Sequence, residues 1–330
     1  MLAPFKEVLG LPIGLNNAPY ELPDTFRMRV GVPHRSGKLA FHAFDHDYPV
    51  MVSANAFWDK DKGQFKIPQA TDLEMTDFAL DSAGFVAMKA WGRSGRQPGI
   101  AGVYPWGLPS YLRLAAELAP SWYAAPDMCC EPEIASNREE VNYRVRATAT
   151  LLEACLRQLY AWHEELSKTC NARTIANMFP PPVPVLQGWE IDDYKLSAEL
   201  TQRVWERWQP WLASPALIGV GSVCRRAVRH PKHGLLNVLA GLEGQLPSKS
   251  RLHLFGVKGT VLSHLKQLPW VASADSMAFD VTARRKAFEG GYSNTVKHRA
   301  GAMSDWMEVA AARMRPAAGD QPRLPFFAEA

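Results

Sequence analysis

What is scarce in this 330-residue chain narrows its class before any motif is read. Cysteine is scarce: Cys129, Cys130, Cys155, Cys170 and Cys224 form neither an even framework nor a Cys-x-x-Cys pair, which excludes a disulfide-stapled scaffold and points to free thiols in a reducing compartment. No apolar run approaches the ~18 residues needed to span a bilayer. The opening Met1-Leu2-Ala3-Pro4-Phe5-Lys6-Glu7 lacks the basic segment and apolar stretch of a signal peptide, so a cytoplasmic protein is expected, with no membrane partner. An excess of one charge is missing too. The 37 Lys and Arg against 33 Asp and Glu leave only +4, so any contact with a polyanion must come from local clusters.

What is present suits a large packed core: 47% of the residues are hydrophobic and 21% charged. From about residue 48 short apolar runs alternate with amphipathic stretches, the pattern of a parallel sheet covered by helices. Candidate strands are Pro49-Val50-Met51-Val52, Phe78-Ala79-Leu80, Trp122-Tyr123-Ala124-Ala125, Val183-Pro184-Val185-Leu186, Leu217-Ile218-Gly219-Val220, Leu252-His253-Leu254-Phe255 and Trp270-Val271-Ala272; an eighth is not assigned. A helix is predicted to open at Ser136, with Glu139 completing a capping box. Val141, Val145, Thr148, Leu152, Cys155 and Leu159 then form one buried stripe. Pro180-Pro181-Pro182 reads as a stiff connector, and residues 316–330, rich in Pro and Ala, as a flexible C-terminal tail. Residues 1–315 are read as one domain, long enough for an α/β barrel with an N-terminal extension.

In such barrels the chemistry sits just past the C-terminal strand ends. Those points carry Asp81, Asp127, Gln187, Gly219 to Ser222, Lys258 and Asp275, with small residues in Asp81-Ser82-Ala83-Gly84-Phe85, Gln187-Gly188 and Gly219-Val220-Gly221-Ser222. The densest basic cluster, Cys224-Arg225-Arg226 with Arg229, His230, Lys232 and His233, reads either as a solvated face or as a phosphate contact. His42-Ala43-Phe44-Asp45-His46-Asp47 reads either as a polar hairpin turn or as part of a metal set that His253 and Asp275 would complete in a hydrolase.

These loops resemble a family. Asp81-Ser82-Ala83-Gly84-Phe85 is similar to the Asp-Ser-Gly-Gly-Phe loop of tRNA-guanine transglycosylases, and Ala274-Asp275-Ser276-Met277-Ala278-Phe279 to the archaeal nucleophile segment Phe-Asp-Ser-Ala-Ser-Tyr. The resemblance is closer to the DNA-modifying relatives called DpdA. It is carried by Ala125-Pro126-Asp127 with Cys130-Glu131-Pro132, Pro184-Val185-Leu186-Gln187-Gly188-Trp189, Gly219 to Arg226, His253-Leu254-Phe255-Gly256-Val257-Lys258, and Ser273 to Ala278. The motifs keep the family's order over roughly residues 45 to 285.

The resemblance implies a (β/α)8 TIM-type barrel and exchange of guanine in DNA for a 7-deazaguanine base, such as 7-cyano-7-deazaguanine. It implies Asp275 as the nucleophile that bonds to the sugar carbon and Asp81 as its acid/base partner. Asp127, Cys130, Gln187, Gly188, Gly219, Gly221, Ser222 and Phe85 would bind the base, and Arg225, Arg226 and Lys258 the nucleic acid. DNA, the incoming base and helper proteins that open a duplex are the implied partners. The tRNA enzymes hold zinc with cysteines placed after the nucleophile, and no cysteine here follows Cys224, so no structural zinc and no cofactor is expected. The alternatives are the same exchange on tRNA and a catalytically inactive nucleic-acid-binding subunit.

Overall fold

A computed structural model describes residues 22, 25–33, 38–68, 71–93, 102–209, 211–224 and 226–315. The expectations for Arg225, for the first part of the N-terminal extension and for the tail 316–330 fall outside the described residues.

Among the described residues the ten strands are β1 Arg27–Val32, β2 Val50–Ser53, β3 Trp58–Asp59, β4 Gln64–Phe65, β5 Phe78–Asp81, β6 Trp122–Tyr123, β7 Val185–Leu186, β8 Leu217–Val220, β9 Arg251–Leu254 and β10 Val271–Ser276. Eight of them form one curled parallel sheet in the order β6-β5-β2-β1-β10-β9-β8-β7, while β3 and β4 make a separate antiparallel hairpin. The seven strands expected from apolar runs are present, and the eighth is β1. Its sequence, Arg-Met-Arg-Val-Gly-Val, carries two cations, and the physical reason they are tolerated is a shared partner. Arg27 and Arg29 both pair with Asp77 at the foot of β5, and Arg29 also donates to the carbonyls of Val50 and Asp77.

The sheet does not close by a continuous ladder. Its edge strands β6 and β7 meet at one parallel bridge, Ala124 to Val183, where Val183 N donates to the Tyr123 carbonyl and Ala125 N to the Val183 carbonyl, both at 2.8 Å. Proline explains the short seam, because Pro180, Pro181, Pro182 and Pro184 supply no N–H and leave Val183 as the one amide donor in that run. The strand order and parallel sense are those expected of a (β/α)8 barrel, but the sheet is a curled one that no ladder closes: a single bridge stands where a ladder was expected.

Ten α-helices accompany the sheet among the described residues. The longest, Arg138–Leu166, starts one residue later than the sequence suggests: Asn137 caps it by accepting from Glu140 N at 2.9 Å, in place of Ser136 with Glu139. Its stripe Val141, Val145, Thr148, Leu152, Cys155 and Leu159 is buried, each large apolar member contributing about 1.5–3 kcal/mol of burial. After β2 no α-helix intervenes; the hairpin follows instead, and Trp58 and Phe65 pack on Trp106 at 5.3 and 5.0 Å between ring centres. This cluster braces Tyr104, 5.7 Å from Trp106 between ring centres, whose hydroxyl reaches the backbone of Asp127. No described helix is long and apolar enough to cross a membrane.

Candidate active site

Strand residues alternate between faces. On β1, β2, β5 and β10 one phase places Gly31, Met51, Ser53, Asp81 and Asp275, and just past β8, β9 and β10 it places Gly221, Phe255 and Met277, around a cavity of about 300 Å³ at the C-terminal ends of the strands, small among ligand sites. Asp127, Cys129, Glu131, Gln187, Ser222 and Phe85 also line it. Asp81, Asp127 and Asp275 therefore share one cavity.

Asp81 ends β5, paired with Ser53 of β2 in the ladder. Lost hydration, then the negative charges of Asp127 and Asp275, push its carboxyl up to about 7, and hydrogen bonds from Ala83 N and Ser53 oppose the shift only partly. The chain turns sharply here. Ala83 holds φ +67°, a left-handed conformation that costs a non-glycine residue about 1–2 kcal/mol. It lets Ala83 N donate to Asp81 Oδ2 at 3.1 Å and starts the helix Gly84–Arg93 beside Asp127. A Cβ at Gly84 would sit 2.7 Å from Asp127 Oδ1, so glycine is what that approach requires.

Asp275 lies near the end of β10, beyond a register shift between Val271 and Ser273 that keeps Ser273 and Asp275 on the cavity side. It is 8% exposed. Its Oδ1 accepts from Gly256 N at 2.9 Å and faces His253 Nε2 at 3.4 Å. His253 is fully buried, is bound through Nδ1 to Ser273 Oγ at 2.8 Å, and has its pKa lowered by burial, while its Nε2 lies beside Asp275 without a hydrogen bond of good geometry. Sequence reading offered His253 only as a metal ligand; its place behind Asp275 depends on a register that no local pattern shows.

Asp127 is held from several sides. Ser82 Oγ donates to Oδ1 at 2.7 Å, Gln187 Nε2 donates to Oδ2, and Tyr104 bridges its backbone, accepting from Asp127 N at 2.9 Å and donating to its carbonyl at 2.8 Å. Burial raises its pKa while these donors pull it back. Oδ2 also faces the Cys129 thiol at 3.8 Å, so Oδ1 is the oxygen that keeps a lone pair for a further donor.

Other expected residues stand differently. Cys130 is fully buried, with its thiol on the Met128 carbonyl, and Cys129 is the cysteine that lines the cavity. The backbone N–H groups of Gly219 and Gly221 are spent on Pro184 and Leu186 and cannot serve a base; these glycines matter for the space they leave. A Cβ on Gly221 would lie 2.1 Å from the Gln187 amide and one on Gly219 2.5 Å from the Phe255 ring. Gly188 packs against Asp193 and Tyr194, away from the cavity. Phe85 lines the cavity with the Lys89 ammonium 4.5 Å from its ring centre.

Arg226 corrects the phosphate expectation. It is 4% exposed, donates to the carbonyls of Ser222, Trp189, His233 and Gly188, and lies 4.2 Å from the Trp189 ring centre. A guanidinium with its donors so occupied knits two rim loops together and is not presented to a polymer. Exposed cations near the rim are Lys258, Arg229 and Lys232. His42, Asp45 and His46 belong to the helix Lys38–Asp45 and the turn after it, before β2 and so at the opposite end from Asp275. The metal set that joined them to Asp275 is therefore not assembled, and a helix, not a hairpin, carries them.

A curled parallel α/β sheet with three carboxylates gathered round one cavity at its C-terminal strand ends is compatible with a TIM-like fold and with the place where such folds carry a site. The chain belongs to the DpdA family, described as DeoxyPurine in DNA protein A, whose model matches residues 61–313. That family places it among DNA-modifying transferases of the transglycosylase kind. No curated protein matches the chain.

Proposed function

We propose that this protein exchanges guanine in DNA for a 7-deazaguanine base through a covalent glycosyl-aspartate. The observation that carries the reading is the meeting of Asp275 with a second carboxyl, Asp81, pushed up to about 7 in the same cavity. Both contacts of Asp275 fall on Oδ1, which leaves Oδ2 to bond to C1′. As that bond forms, the bond from C1′ to N9 breaks and its electron pair leaves with guanine, which takes a proton from Asp81. Asp81, now ionised, accepts the proton of the incoming base, whose nitrogen attacks C1′ and releases Asp275. Asp127 accepts from the N–H groups of the guanine edge, and Met51, Met277, Phe85 and Phe255 supply apolar walls. The same exchange on tRNA is the rival, and the family match favours DNA.

Guanine-containing single-stranded DNA mixed with the protein, with no incoming base, should yield a complex that survives denaturation. Asp275→Asn should abolish it. Capture by wild-type protein should fall as pH rises through about 7, because Asp81 must be protonated to release guanine. Persistence of the adduct in Asp275→Asn would move the nucleophile elsewhere.

A further inference from the structure

Behind the base-facing wall runs a chain of four side chains whose hydrogens can be counted. Gln187 Nε2 donates to Asp127 Oδ2; Gln187 Oε1 lies 2.6 Å from Ser222 Oγ; Ser222 Oγ lies 2.9 Å from Glu131 Oε2; and Cys130 N donates to Ser222 Oγ at 2.7 Å. A serine hydroxyl carries one hydrogen and two lone pairs. It cannot donate both to the Gln187 oxygen and to an ionised Glu131. All four groups are buried, so an unmet contact is costly.

Two arrangements satisfy every contact. In one, Glu131 is a neutral acid donating to Ser222, which donates to Gln187, whose amide donates to an Asp127 carboxylate. In the other the amide of Gln187 is turned over, Asp127 holds the proton, and Ser222 donates to ionised Glu131. Either way the pair holds one proton. The surroundings choose between them: Asp127 also accepts from Ser82 Oγ at 2.7 Å and faces the Cys129 thiol at 3.8 Å, which favours its carboxylate. Glu131 has Ser222 and its own backbone N–H, while Arg226 beside it spends its donors on carbonyls.

We propose that Glu131 is a positioning residue that stays protonated and, through Ser222 and Gln187, holds Asp127 as an ionised acceptor, so that the site prefers a purine edge bearing N–H donors over one bearing an acceptor, guanine over adenine. The proposal rests on the base-exchange reading for its purpose, though not for the proton count. Ser222 is built for the role, held at φ +52° at the mouth of β8. The titratable groups facing Glu131 are Asp127, Cys129, Cys130, Tyr194 and Arg226, with Glu133 also on the cavity wall. Burial raises the pKa of both thiols and of the Tyr194 phenol, which leaves Asp127 and Glu131 to share the proton.

The test uses the full chain in an Asp81→Asn background, which removes the other neutral acid of the cavity. Infrared difference spectra near neutral pH should show the carbonyl stretch of a protonated carboxyl, and Glu131→Gln should remove it. A band that survives Glu131→Gln and disappears in Asp127→Asn would put the proton on Asp127 and overturn the proposal. Binding of 7-deazaguanine should weaken about tenfold at alkaline pH, as Glu131 ionises and the donor chain breaks. Glu131→Gln, which still donates to Ser222 and cannot ionise, should bind with near wild-type affinity and no alkaline limb, whereas Glu131→Leu should bind weakly at every pH. An alkaline limb retained in Glu131→Gln, or wild-type affinity in Glu131→Leu, would refute the role. Failure of every form to bind 7-deazaguanine would count against base exchange itself, and the infrared band would still decide where the proton sits.

Discussion

The two ends of β5 carry an aspartate each, four residues apart, and they live in opposite surroundings. Asp77, just before the strand, takes hydrogen bonds from Arg27, Arg29 and Ser121, and Arg29 foremost among its partners holds its carboxyl below the usual range despite partial burial. Asp81, at the other end, has lost its hydration, faces two further carboxylates and is pushed up to about 7. One end of the sheet has its charges matched and contributes stability; the other has like charges crowded together at a cost in stability, which is where acid/base chemistry becomes available near neutral pH.

The comparison is broken most severely by Asp81→Asn. Base exchange should fall by about 10²–10⁴-fold, the usual share of a positioned acid/base group. The same variant should be more stable than wild type at pH 8 by roughly 1–3 kcal/mol. The sign follows from linkage: a carboxyl raised in the folded state costs stability above its folded pKa, so the gain should shrink as pH falls from 8 through about 7 and vanish near the unfolded value of about 4. Thermal melts across that range check it, and a variant no more stable at pH 8 would mean that Asp81 is not under charge stress.

Asp77→Asn should do the reverse. It leaves the buried Arg29 without its carboxylate and should lower stability by about 2–3 kcal/mol at pH 8, discounted for the partial exposure of Asp77. Because the Asp77 pKa is depressed, that loss should persist down to about pH 4 and fade only below it. Covalent capture per folded molecule, and its pH dependence near 7, should be unchanged. A shifted limb would tie the lower ion pair to the chemistry.

The smallest effect belongs to the loop between Asp81 and Asp127. Ala83→Gly relieves the left-handed conformation and should raise stability by roughly 0.5–1 kcal/mol, net of glycine's greater freedom in the unfolded chain. Urea melts resolve a change of this size. A loss instead would show that the Ala83 methyl, buried in the core cluster, contributes more than the strain costs.

Seven strands were legible because apolar runs and turn residues sit next to each other in sequence. β1 was not, since its inward-facing Arg29 breaks the apolar signal and is matched by Asp77, 48 residues away, and by the Val50 carbonyl. Asp81, Asp127, Gln187 and Asp275 were marked by their position after strands and by resemblance, and they share one cavity. Arg226 was misread for a general reason: a run of cations looks the same in sequence whether it faces water or carbonyl oxygens. Cys129 and Cys130 are adjacent, and only strand-like alternation beyond β6 determines which thiol faces the cavity. Glu131 and His253 each sit in a short motif, but they act through partners far along the chain, Ser222 at a separation of 91 and Asp275 at a separation of 22 residues, so the motif does not show what they do.

The proline-bounded seam at Ala124 and Val183 has its own consequence for how the molecule breathes. Everywhere else neighbouring strands of the ring are zipped by ladders, whereas here one bridge holds two short edges, so thermal opening begins there, and the amides of Ala125 and Val183 should exchange with solvent ahead of those in β2 and β8. Three residues beyond Ala124 stands Asp127, and four beyond Val183 stands Gln187, joined across the same gap by a hydrogen bond. The residue assigned to read the base, Asp127, is thus joined through Gln187 across the sheet's one-bridge seam. A purine lying across Asp127 would therefore fasten this seam as it binds, and leave it looser each time it departs.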